Sequence, residues 1–144
     1  MYRFHKTVYA MPTDAVPGEA IQLGDRTFTS LTFERSTIGK PFDLSFEEAA
    51  ARLQAIERMD LEPDGYILLA GGDAADRWQV DGHLYDRNDR LLMVNLKGSC
   101  PSETFDKILS AIGWPAIPLM FELTQEAIYL AEGEFRRYAA GCND

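Results

Sequence analysis

The chain has 144 residues, 46% of them hydrophobic, 26% charged and 11% aromatic, with 23 acidic against 14 basic groups and a net charge of −9. That apolar and aromatic content excludes a disordered chain, and no apolar run approaches the roughly 18 residues of a membrane-spanning helix. Net acidity argues against a nucleic-acid binder, whose affinity comes from clustered Lys and Arg on many phosphates.

The length fits one domain over 1–144, able to bury roughly 68–70% of its unfolded surface without a metal or disulfide staple. The N-terminus, Met1-Tyr2-Arg3-Phe4-His5-Lys6-Thr7-Val8, alternates and lacks the apolar core of a signal peptide, so a cytoplasmic protein is expected. The cysteines are Cys100 and Cys142. Two are few for a secreted disulfide scaffold, although a Cys100–Cys142 bridge is an alternative. With His5 and His83 they are the obvious metal ligands. No two show ligand-pair spacing, so no metal and no cofactor is expected.

Residues 2–10 and 27–34 alternate as half-buried strands do. Pro12, Pro17 and Gly18 mark a loop between them, with room for a short strand at 20–23 before the Gly24-Asp25 turn. Ser45 and Glu48 form a capping box. Phe46, Ala49, Ala50, Leu53 and Ile56 then trace one face of a helix over 46–59. Residues 66–70 are continuously apolar, the pattern of a central strand buried on both faces.

A hairpin follows. Trp78, Val80 and Leu84 alternate with Gln79, Asp81, His83 and Tyr85, and Leu92, Val94 and Leu96 answer them on the return strand. A three-residue loop, Arg87-Asn88-Asp89, would pair Asp86 with Arg90. The expected rungs are then Gln79–Lys97, Asp81–Asn95, His83–Met93 and Tyr85–Leu91. A slip of one residue would set the two apolar rows on opposite faces, which constrains the register.

A second helix carries Phe105, Ile108, Leu109 and Ile112 and stops at Gly113 and Pro115. Residues 117–123 read as a strand. The tail fits one helix from Thr124, or a strand at 127–131 and a short helix to Ala140. Gly133 inside a single helix would cost about 1 kcal/mol against Ala, which favours strand then helix. The whole predicts an α+β fold: a largely antiparallel sheet of five to seven strands, with two or three helices mainly on one face.

Chemistry is sparsely signalled. Cys100 precedes Pro101, which suits the first helical position, so Cys100 would be the N-cap where the helix dipole lowers a thiol pKa. His83 is an unsuitable base for it. Opposite Met93, it would lie on the order of 20 Å from Cys100. His5 is unconstrained. Asp81, His83, Tyr85, Asn95 and Lys97 share the polar face of the hairpin, about 5 Å apart across a rung. Asp60, Glu62 and Asp64 with Gly65 match the opening of an EF-hand loop, but Gly71 stands where the bidentate Glu is required, and Pro63 and a strand intrude. Gly71-Gly72-Asp73 lacks the spacing of a phosphate loop.

The acidity is local. Residues 41–90 carry a net −7, against +1 before and −3 after. The expectation is a non-catalytic binding or interaction module. It would use the hairpin's polar face and the acidic 60–89 region toward a protein or small-molecule partner, with no nucleic acid and no membrane. The alternatives are a thiol-dependent enzyme with Cys100 as nucleophile, and a homo-oligomer that buries an open sheet face.

Overall fold

The computed structural model describes residues 1–141. Cys142, and with it the alternative disulfide, lies outside the described residues. The elements run β1 (Tyr2–Ala10), β2 (Val16–Leu23), β3 (Arg26–Thr32), α1 (Phe46–Gln54), β4 (Asp60–Leu61), β5 (Tyr66–Gly71), β6 (Trp78–Arg87), β7 (Arg90–Cys100), α2 (Ser102–Ala111), β8 (Leu119–Leu123), β9 (Ile128–Ala131) and α3 (Glu132–Ala140). The fold is α+β. Seven strands form one sheet in the order β4-β5-β6-β7-β1-β8-β9, and β2-β3 form a separate ribbon. Every pairing is antiparallel.

Period-2 alternation decides the faces. Phe4, Val8, Ile67, Leu69, Val80, Leu84, Val94 and Leu96 are buried, and they join α1, α2 and α3 in one core. Phe121 stacks on Phe135 at 4.2 Å, which fastens α3 over β8. Arg136 of α3 pairs with Asp106 of α2 at 2.6 Å and with Glu132, and its guanidinium lies 5.0 Å from the Trp114 ring. No helix is long and apolar enough to cross a membrane among the described residues.

Several expectations are corrected. Ser45 caps α1 through Glu48 N at 3.0 Å, as its spacing implies, but the helix ends at Gln54 and not at residue 59. The chain turns tightly there, with Ile56 N on Leu53 O and Met59 N on Ile56 O, and Arg58 takes φ +71°. The turn delivers Asp60 and Leu61 to β4, a strand too short for any periodicity to reveal. Strand β2 begins at Val16, so Pro17 and Gly18 lie within it. An edge position in a two-strand ribbon tolerates the missing N–H, and the register shifts between Pro17 and Ala20. In β5 only Ile67 and Leu69 are buried, while Tyr66 and Leu68 are half-buried because no layer of helices covers the second face.

The hairpin register differs by two residues. Asn88 and Asp89 have φ of +52° and +66° and make a two-residue turn, so Arg87 pairs with Arg90. Both central residues at positive φ is the geometry whose twist matches the flanking strands. A bulge at Leu92 follows, since Tyr85 faces Met93 and Asp86 faces Leu91. Leu91, rather than Leu92, therefore enters the core. The tail resolves as strand then helix, as Gly133 suggests.

Candidate functional site: the open face of the sheet

The face turned away from the helices is built from the alternate residues of neighbouring strands. One rung runs Leu68, Asp81, Lys97, His5 across β5, β6, β7 and β1. The next runs Tyr66, His83, Asn95, Thr7, Glu122, Tyr129 from β5 to β9. A third sets Tyr85 against Met93.

The five residues expected on the hairpin's polar face are thus on one face, with changed partners. Lys97 stands opposite Asp81 and not Gln79, Asn95 opposite His83, and Met93 opposite Tyr85. The displacement is even, so no side chain changes sides. Asp81, His83, Tyr85 and Asn95 are half-buried and Lys97 is exposed.

Side-chain bonds hold the middle of this face. Thr7 Oγ1 donates to Asn95 Oδ1 at 2.7 Å, and Asn95 Nδ2 donates to the Tyr85 hydroxyl at 3.4 Å. The His83 and Tyr85 rings lie 4.7 Å apart. Further along, Glu122 accepts from the Tyr9 hydroxyl at 3.1 Å and the Tyr129 hydroxyl at 3.3 Å. Burial, and then the Glu122 charge, push the Tyr9 phenol up to about 12, and the same causes raise Tyr129. Phe33, after β3, meets the Tyr129 ring edge-on at 5.0 Å, so the chain leaving the ribbon reaches this end of the face.

At the opposite end, a groove of about 680 Å³ opens between Asp60, Glu62 and Asp64 and the side chains of Tyr66, Leu68 and His83. The acids are spread along β4 and its turn, and Asp64 Oδ1 accepts from Tyr66 N at 3.1 Å. No group of three or more His, Cys, Asp or Glu side chains is placed to hold a metal ion among the described residues.

Cys100 is elsewhere. It ends β7 on the helix-covered face opposite Tyr2, and Pro101 is the N-cap of α2. It is buried, and desolvation pushes its thiol up to about 12. Pro101 takes the N-cap position expected for Cys100, so the thiol lies one residue before the cap. The sheet separates Cys100 from both His5 and His83, so neither imidazole reaches it.

Sequence reasoning missed Arg3, His5, Thr7, Tyr9, Glu122 and Tyr129 as members of this face. The alternation of Arg3, His5, Thr7 and Tyr9 was the available signal. It fixes which side of β1 they share but not which strand lies beside it. Comparison of the chain with family models, with curated proteins and with solved structures finds no match.

Proposed function

We propose that this protein is a non-catalytic binding module whose contact surface is the open sheet face centred on Asp81, His83, Tyr85, Asn95 and Lys97. One observation carries the reading. The Thr7–Asn95–Tyr85 chain of hydrogen bonds fixes donors and acceptors on a face that no helix covers. Preorganised polar groups lose little conformational entropy on binding, which is the condition for specificity. The face offers charge, amide, imidazole and aromatic contacts within three adjoining rungs, and the acidic groove extends it at the β4 margin.

The test is a triple variant, Asp81→Ala with His83→Ala and Lys97→Ala, against a control pair, Arg52→Ala with Lys107→Ala, on the helices. A partner captured by the wild type should be lost by the triple variant and kept by the control. Capture of the same partner by the triple variant would overturn this placement of the site.

A further inference from the structure

We infer that the open face includes a site for the phosphoryl group of a small phosphomonoester, at the free edge of β1. This rests on the reading of that face as the binding surface and names the chemistry recognised there. Strand β8 pairs with β1 only at Thr7–Ala10, so over Tyr2–Lys6 β1 has β7 on one side and, among the described residues, no strand on the other. A groove of about 450 Å³ follows that edge, lined by Arg3, His5, Lys6, Lys97, Ser99 and Gln125 among others.

Arg3, His5 and Lys97 thus stand together on the open face in a chain of net charge −9, while Lys6 reaches the groove from the helix-covered side of β1. Of the 14 Lys and Arg residues, Arg52, Arg90, Arg136 and Arg137 have carboxylate partners among the described residues. Arg3, His5 and Lys97 have no ion pair or side-chain hydrogen bond among the described residues, although Asp81 stands directly opposite Lys97. Lys6 rests over the Tyr138 ring at 5.6 Å.

Spacing selects the ligand. His5 and Lys97 share a rung, about 5 Å apart. Arg3 is two residues along β1, about 7 Å from His5 on the same side. Long side chains at that separation converge on one tetrahedral dianion: the guanidinium fork takes two oxygens, and the ammonium acts as a point charge. The Ser99 hydroxyl, on the rung of Arg3, is a further donor. A polyanion such as nucleic acid would need a longer row of cations and would meet the repulsion of the remaining acidic surface.

The experiment is a titration of the full chain with inorganic phosphate, followed by ¹H–¹⁵N NMR at ionic strength held constant with chloride. Expected are saturable shifts confined to amides of residues 3–6, 97–99 and 125. Arg3→Gln, which leaves the hairpin patch intact, should weaken phosphate by about tenfold, and Lys107→Gln should not. Linear shifts scattered over other basic residues, equal affinity in Arg3→Gln, or tighter binding of a single-stranded oligonucleotide than of phosphate would overturn the inference. Loss of the partner by the hairpin triple variant without phosphate saturation in the wild type overturns this site alone. Retention of the partner by that variant beside intact phosphate shifts overturns the broader reading instead.

Discussion

Thr7 and Asn95 face each other across the β1–β7 ladder and are joined by a 2.7 Å hydrogen bond, with Thr7 Oγ1 donating to Asn95 Oδ1. The other half of the Asn95 amide donates to Tyr85. One side chain therefore links three strands on an uncovered face. Asn95→Ala should cost about 1–2 kcal/mol, since two modest bonds are lost at a half-buried position. Thr7→Val should cost less, because the bond to Tyr85 survives. Urea unfolding of both variants checks the order. A Thr7→Val penalty equal to that of Asn95→Ala would mean that the Tyr85 bond contributes nothing.

Glu122 gives the face a pH dependence of definite sign. Tyr9 is raised from 10.0 to about 12 by burial first and by Glu122 second. Its neutral form is the one favoured in the fold. The resulting stabilisation is complete below the unfolded value of 10.0, and is lost as pH climbs through about 12. Glu122→Gln should lower the Tyr9 titration only part of the way toward its ordinary value, because burial remains. Ultraviolet absorbance against pH reads this directly. An unshifted curve would contradict the role given to the carboxylate.

Cys100 should behave as core. In a Cys142→Ser background, an aromatic disulfide reagent should label it at neutral pH only as fast as the protein opens, with the rate rising steeply in urea. Prompt labelling of the native state would show an accessible thiolate, contrary to its burial and raised pKa.

These residues differ in how far they could be read from the chain. Val80, Leu84, Val94 and Leu96 alternate cleanly, and that places Asp81, His83, Tyr85, Asn95 and Lys97 together whatever the turn does, provided the register shifts by an even number. The rung partners need the turn type. Asn88-Asp89 lacks the glycine that usually announces a two-residue hairpin, and the bulge at Leu92 leaves no local mark. The near side of the face was legible and the far side was not. Arg3 meets Ser99, and Thr7 meets Glu122, through pairings between strands distant in sequence, and such adjacency is decided by global packing. Cys100 illustrates a one-residue error with chemical weight. The helix starts at Ser102 rather than Pro101, and the alternation that sets Cys100 on the inner face of β7 with Val94 and Leu96 buries its thiol. Strand β4, two residues long, carries no pattern at all.

That short strand bears on how the molecule meets others. A sheet margin ordinarily templates further chains through its unpaired backbone. Here a newcomer at the outer side of β4 would find only Asp60 and Leu61, beside the exposed carboxylates of Asp60, Glu62 and Asp64. At the other margin, Phe33 beyond β3 is already seated against Tyr129 of β9. Growth by strand addition is thus disfavoured at β4 by length and charge, whereas β1 keeps an edge over Tyr2–Lys6 that no strand among the described residues pairs.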